Sequence, residues 1–114
     1  MPDGKIQVRS KVWLEIGGRP MLGPGRRKLL QAIDEQGSIQ KAARLCRLTY
    51  RKAWGQIKEM EEQLGLPLVT KMAGGAGGGG ARLTPKARDL LERYEKLIAG
   101  IEGLVNGRFQ GIFL

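Results

Sequence analysis

Three observations in the 114-residue sequence predict a mainly α (α+β) fold, a winged helix-turn-helix with an N-terminal β-hairpin and a long C-terminal dimerisation helix. Two cappable segments with apolar residues three and four apart meet at Arg47-Leu48. A pair of short strand-like segments flanks a run of glycines, and a long apolar stripe follows Thr84-Pro85. The length suits one domain over residues 1–114. The pattern divides it into a hairpin at 11–22, helices within 24–64 with the helix-turn-helix at 38–64, a glycine-rich wing at 66–83 and a helix at 84–105.

Val12, Leu14 and Ile16 lie on one side of a strand, Gly17-Gly18 supplies a tight turn, and Arg19 to Leu22 returns as a second strand. Pro20 has no N–H to donate, which puts that return strand at an edge. Pro24 suits the first turn of a helix, with Leu29, Leu30 and Ile33 as its inward stripe and Gly37 as its stop. Ser38 N-caps a short second helix through Cys46, where the small Ala42-Ala43 pair lets another helix cross closely. Thr49 caps a third helix that runs to Leu64 and ends at Gly65. On it Tyr50, Ala53, Trp54, Ile57, Met60 and Leu64 face the core or its border, and Arg51, Lys52, Gln56, Lys58 and Glu59 take the other face.

Leu66 to Met72 reads as a strand, Ala81 to Leu83 as its partner, and Gly74 to Gly80 as the tip between them. Thr84 is the N-cap and Pro85 the first position of the last helix. Its stripe of Ala87, Leu90, Leu91, Tyr94, Leu97, Ile98 and Ile101 is longer than one small domain covers. The helix is therefore read as a lid over the core in its first half and as a dimer surface made by Leu90, Leu91, Tyr94, Leu97, Ile98 and Ile101. Gly100 and Gly103 weaken its far end by about 1 kcal/mol each relative to alanine. The sequence does not say where the apolar tail Phe109 to Leu114 packs.

Twenty Lys and Arg against eleven Asp and Glu give a net charge of +9 and a pI near 10.2, which points to a polyanionic partner, nucleic acid or an anionic membrane surface. The excess is local. Residues 26–58 hold nine basic side chains against Asp34 and Glu35, whereas residues 85–102 hold four of each sign. With no histidine, imidazole triads, shuttles and metal sites are excluded. The lone Cys46 makes neither an internal disulfide nor a multi-thiolate zinc site, and one thiol suits a reducing compartment. No apolar run approaches the roughly 18 residues of a membrane span, and Met1 to Ser10 lacks the apolar core of a signal peptide. The expectation is a cytoplasmic protein that is not an enzyme and carries no metal and no cofactor.

Gly75-Ala76-Gly77-Gly78-Gly79-Gly80 satisfies G-x-G-x-x-G, as almost any glycine run does. A dinucleotide site needs a helix to open directly after the turn, and here Ala81-Arg82-Leu83 intervenes. No Gly-Lys-Ser/Thr closes the run as a P-loop would. The remaining readings are a flexible linker and a wing that orders on DNA. Lys71 and Arg82 at its flanks favour the wing, because glycine lets the backbone approach a phosphate or a groove floor.

Gly23-Pro24-Gly25-Arg26, Gly37-Ser38-Ile39, Ala42-Ala43, Thr49-Tyr50-Arg51-Lys52-Ala53-Trp54 and Gly77-Gly78-Gly79-Gly80-Ala81-Arg82-Leu83-Thr84 resemble the N-terminal domain of ModE-type molybdate-responsive transcriptional regulators, over roughly residues 12–98. The Tyr-x-x-Ala-Trp signature with the glycine wing is specific to that type. The Gly-Ser-Ile and Ala-Ala portion is shared with LysR-type regulators. The resemblance implies a winged helix-turn-helix that binds double-stranded DNA as a homodimer. It implies molybdate binding in a separate C-terminal domain, for which these 114 residues leave no room. No molybdate site is therefore expected on this chain. A stand-alone DNA-binding regulator, or one that finds an oxyanion-sensing subunit on another polypeptide, is the expectation.

The first turns of the third helix are expected in the major groove, with Thr49, Tyr50, Arg51, Lys52 and Gln56 as contacts. Arg51 can pair its planar fork with guanine O6 and N7, and Gln56 can pair with adenine. Lys52 and Lys58 read as phosphate contacts. Ser38 and Gln40 open the second helix, whose free N–H groups suit a phosphate. Lys71, Gly78, Gly79 and Arg82 are the wing contacts. Trp54 reads as core, and Tyr50 as a boundary residue with its ring packed and its hydroxyl at a phosphate. Two other readings compete: a dimeric module that docks on a sensor subunit through its last helix, and a non-specific DNA-packing protein.

Overall fold

Glycines, prolines and hydroxyl side chains set the element boundaries in the computed structural model, which describes residues 6–72 and 80–114. The elements are β1 (Leu14–Ile16), β2 (Arg19–Leu22), α1 (Pro24–Gln36), α2 (Ile39–Leu45), α3 (Tyr50–Leu64), β3 (Val69–Lys71), β4 (Ala81–Leu83), α4 (Pro85–Ile98) and α5 (Ile101–Phe113). Gly17 and Gly18 both have positive φ, 59° and 79°, as a two-residue hairpin turn of the primed type demands. α1 begins at Pro24 and stops at Gly37, which adopts φ 65° and donates its N–H to the Ile33 carbonyl at 2.9 Å. The hydroxyls of Ser38, Thr49 and Thr84 accept the third N–H of α2, α3 and α4 at 3.2, 3.1 and 3.2 Å.

These caps orient the helices so that their apolar stripes converge. Leu29, Leu30 and Ile33 of α1, Ala42 of α2, Ala53, Ile57 and Met60 of α3, and Ala87 of α4 are fully buried. Leu22, Leu68, Leu83 and Tyr94 close the core, and no polar or charged residue is buried among the described residues. The small Ala42-Ala43 pair sits where α2 packs on α1 and α3, as the close crossing requires.

Both sheets are two-stranded and antiparallel, β1 with β2 and β3 with β4. The second is pinned to the helical body at both ends of its ladder, the first being the loop side where Ala81 pairs with Lys71. Ala81 donates its N–H to the Gly37 carbonyl at 2.9 Å, and a Cβ on Gly80 would stand only 3.2 Å from that oxygen. On the other side, Thr84 donates its N–H to Leu68 and its hydroxyl to Pro67, both at 2.9 Å.

Two boundaries differ from the sequence reading. The strand expected from Leu66 pairs only from Val69, because Leu66 and Leu68 are spent on the core instead of on the ladder. The helix expected over 84–105 ends at Ile98, where Ala99 turns extended (ψ 128°) and Gly100 adopts φ 82°. A new helix then carries the apolar tail to Phe113. α5 has no buried residue, with Leu104 60% and Ile112 76% exposed, and the chain measures 59 × 30 × 20 Å. No helix among the described residues is long and apolar enough to cross a membrane.

Candidate nucleic-acid interface

The turn between α2 and α3 is closed by backbone bonds from Cys46 to Ala42 (3.0 Å) and from Leu48 to Ala43 (2.8 Å). Arg47 sits inside it at φ 56°, a left-handed conformation seldom taken by a side-chain-bearing residue. With Ala53, Ile57 and Met60 inward, the helical period places Arg51, Gly55, Lys58 and Glu62 on the opposite face. Arg51 and Lys52 are exposed and make no ion pair among the described residues. They also stand in the first turn of α3, at the positive end of its dipole. None of α1 to α4 has an acidic residue in its first turn. Such placement costs stability in the free protein and favours an approaching anion.

Beside this face lies a cluster joining α3 to β3. Lys71 Nζ donates to the Tyr50 hydroxyl at 3.1 Å and stands 4.3 Å from the centroid of the Trp54 ring. Lys58 Nζ stands over the same ring at 4.6 Å and 3.5 Å from a Glu61 carboxylate oxygen. The other Glu61 oxygen accepts the Leu68 and Val69 N–H groups at 2.8 and 3.4 Å. Cation–aromatic contacts of this length contribute roughly 0.5–1 kcal/mol each at exposed sites. β3 is thus held to α3 at both of its ends.

The structure brings many of the expected residues together. Ser38, Gln40, Tyr50 and Lys71 line one recess of about 320 Å³ with Met72 and Gly80, between the starts of α2 and α3 and the base of the wing. Arg82 is exposed on β4 without an ion pair among the described residues. Gly78 and Gly79 lie outside the described residues. The Ser38 and Thr49 hydroxyls cap α2 and α3, as the sequence predicts. Other expected contacts have surroundings the sequence did not show. Lys58 is held by Trp54 and Glu61 instead of standing free for a phosphate. Gln56 is half-buried and lines a separate groove with Trp13, Met21, Cys46 and Leu48, which turns it away from the Arg51 face. Trp54 is half-buried, packed on the core and capped by lysines.

Sequence reasoning passed over Glu61, because its role depends on where Leu68 and Val69 fold back. It also overlooked Lys41, Arg44 and Arg47, which are exposed around the turn and unpaired among the described residues; the charge count over 26–58 held that signal. That count includes two arginines the fold consumes. Arg26 pairs with Glu59 and donates to the Met21 carbonyl at 2.9 Å, and Arg27 lies 3.6 Å from Glu95. The hydrogen bond and charge of Arg26 hold the Glu59 carboxyl below the usual carboxylate range.

The expected dimer surface needs correction. Leu91 and Tyr94 are buried in the protomer's own core, since positions 87, 91 and 94 form the inward stripe of α4. The Tyr94 hydroxyl donates to the Val12 carbonyl at 2.7 Å, and burial raises its pKa. Leu90 and Ile98 are half-buried against the core and Ile101 is half-buried, which leaves Leu97, at 49% exposed, as the fully available member.

Residues 26–88 match the model of the bacterial regulatory helix-turn-helix proteins of the lysR family. The chain belongs to this family. Among curated relatives, it is 41% identical over 104 residues to the molybdenum-pterin-binding protein MopB of Rhodobacter capsulatus, covering 91% of this chain and 37% of that protein. It is 34% identical over 92 residues to the DNA-binding transcriptional dual regulator ModE of Escherichia coli K12, covering 81% of this chain and 35% of that protein. The chain therefore spans about a third of the length of these relatives. The CbnR DNA-binding domain, solved in a DNA complex, shares the fold with a TM-score of 0.56 at 21% identity, over 75% of this chain and 92% of that one.

Proposed function

We propose that this chain is a sequence-specific, double-stranded-DNA-binding transcriptional regulator of the ModE N-terminal type, and not an enzyme. One observation carries the reading. Arg51 and Lys52 stand exposed and free of ion pairs among the described residues, at the positive end of a helix whose other face is locked into the core. That arrangement suits a helix laid into a major groove, with Arg51 reading base edges and Lys52 holding a phosphate. The LysR-family membership and the similarity to a DNA-binding ModE protein support it. Binding of a duplex selected from a random pool, against a scrambled duplex of equal length, tests it. The selected duplex binds at least 10³-fold tighter on this reading, and equal affinity for both overturns it.

We further propose that the protein acts as a homodimer through α5 and Leu97, with the cytoplasm as its compartment. A 13-residue helix with no buried residue is marginal in water unless its apolar side is covered. Leu104, Ile112 and the Phe109–Phe113 pair, stacked at 5.0 Å, spread apolar surface across about half of the circumference of α5, which a second copy can cover by two-fold symmetry. Such a dimer reads half-sites ~34 Å apart or a multiple of that. Sedimentation of the Leu104→Glu/Ile112→Glu variant as a monomer, beside a dimeric wild type, supports this, and a monomeric wild type at micromolar concentration rejects it. The reading assigns no oxyanion site to these residues.

A further inference from the structure

The cluster on the flank of α3 does more than bury an aromatic ring. β3 is three residues long, and a two-stranded sheet of that size does not hold its own orientation in water. Its pose has to come from elsewhere. The Thr84 bonds to Leu68 and Pro67 fix the base of the hairpin, where Val69 pairs with Leu83. At the far end Lys71 pairs with Ala81, whose N–H is bonded to Gly37, and the side-chain hold on that end is the Lys71 bond to the Tyr50 hydroxyl with its 4.3 Å approach to Trp54.

We propose that Trp54 is a positioning residue for the wing, its ring being the seat on which Lys71 sets the angle between β3–β4 and the reading helix. The inference rests on the DNA-binding reading above and adds to it how the second binding element is aimed. Four features support a seat over incidental packing. The ring is half-buried, so its inner part is immobilised by the core while its outer part receives two ammonium groups. Lys58 is tied to Glu61, and Glu61 also accepts from Leu68 and Val69, so the near end of β3 and the ring belong to one connected set. Thr70 pairs with Arg82, so an angular change at Lys71 is carried across the ladder to the exposed guanidinium on β4. Finally, Tyr50 and Trp54 are one helical turn apart, which lets a single lysine address both.

In this arrangement Lys58 is part of the seat. The two ammonium groups near one ring repel each other. The Glu61 carboxylate, 3.5 Å from Lys58, and the negative face of the indole offset that repulsion. The signal available in the sequence was the Tyr-x-x-x-Trp spacing followed by a lysine at the end of the next strand. It carries no meaning until the register of β3 is known.

The test is a double-mutant cycle on the full chain, read as affinity for a selected duplex. Trp54→Leu keeps an apolar but smaller side chain and removes the π face, Trp54→Phe restores a π face, and Lys71→Met keeps the stem and removes the charge. Arg82→Ala reports the wing and Arg51→Ala reports the reading helix. The inference expects Arg82→Ala to weaken binding at least 5-fold in the wild type and less than 2-fold in Trp54→Leu or Lys71→Met. Trp54→Phe should recover most of that difference, and the effect of Arg51→Ala should stay the same in every background. Independent, multiplying effects of Trp54→Leu and Arg82→Ala would overturn it.

Amide exchange without DNA provides the second readout and keeps the two claims separable. Trp54→Leu should speed exchange at the cross-strand amides of β3 and β4, including Met72, whose N–H donates to the Gly80 carbonyl at 2.8 Å, while the α1 and α4 amides keep their rates. Unchanged exchange in the wing overturns the positioning role whatever happens on DNA. A wild type that binds no duplex, with faster wing exchange in Trp54→Leu, overturns the DNA-binding reading and upholds the seat.

Discussion

The guanidinium of Arg26, in the first turn of α1, is consumed by the Glu59 carboxylate of α3, with the Met21 carbonyl at 2.9 Å and Gln63 Oε1 at 3.4 Å as its further partners. One of the nine cations that make residues 26–58 so basic is therefore a strut between α1, β2 and α3. The charge left unpaired among the described residues is narrower than the count suggests, and the proposed DNA contact centres it on Arg51 and Lys52.

This strut has a pH signature. The Glu59 carboxyl lies below its ordinary value, first because Arg26 hydrogen-bonds it and then through the charges of Arg26 and Arg19, against a smaller opposing effect of burial. A depressed carboxylate adds stability above its unfolded pKa, and that stability is lost as pH falls through the folded value. Urea midpoints measured from pH 6 down to pH 3 should fall less steeply for Glu59→Gln than for the wild type. Parallel curves would show that the pair contributes nothing.

Tyr94 has the opposite sign. Burial raises the pKa of its phenol, so its contribution is complete below the unfolded value near 10 and is lost as pH rises through the folded one. Tyr94→Phe removes the 2.7 Å bond to the Val12 carbonyl and should cost about 1 kcal/mol at neutral pH. It should also flatten the alkaline arm of the stability curve. Chemical denaturation at pH 7 and above pH 10 checks both, and a neutral substitution at pH 7 would mean the Val12 carbonyl finds another donor.

Arg47 carries a local cost. Its φ of 56° costs a side-chain-bearing residue ~1–2 kcal/mol, against ~0.5–1 kcal/mol for the extra freedom of an unfolded glycine. Arg47→Gly should raise stability by up to about 1 kcal/mol while lowering DNA affinity through the lost charge. Thermal melts and salt-dependent binding on the same sample separate the two effects.

Gly55 lies in the middle of the outward face of α3, and a Cβ there meets nothing within 4 Å. Gly55→Ala should therefore stabilise the helix by about 1 kcal/mol. Gly55→Leu should fold equally well yet bind the selected duplex at least 10-fold more weakly, since the bare backbone at this point lets α3 approach the groove floor. Undiminished affinity in Gly55→Leu would place another face of α3 against the DNA.

The sequence revealed what local chemistry controls. Gly37, Gly65, Ser38, Thr49 and Thr84-Pro85 end or start helices where expected, because caps act on their immediate neighbours. The stripes of α1 and α3 were readable for the same reason. Features that join distant segments were not. Tyr94 reads as part of a dimer surface until the segment at Val12, 82 residues away, is folded over it. Lys58 looks equivalent to Arg51 on a helical wheel, and only the placement of β3 shows that it is held. Gln56 stands about 140° around the helix from Arg51, a separation the wheel already carries. The break before α5 needs Gly100 in the left-handed region, which composition alone marks as a weakness and not as a corner.

The most direct test of the account compares wild type and Arg51→Ala on a selected and a scrambled duplex at the same ionic strength. The account predicts that Arg51→Ala loses about 1–3 kcal/mol on the selected duplex and far less on the scrambled one, so that specificity collapses while residual binding remains. Equal losses on both duplexes would contradict it, and would reduce Arg51 to one more phosphate contact on a basic surface.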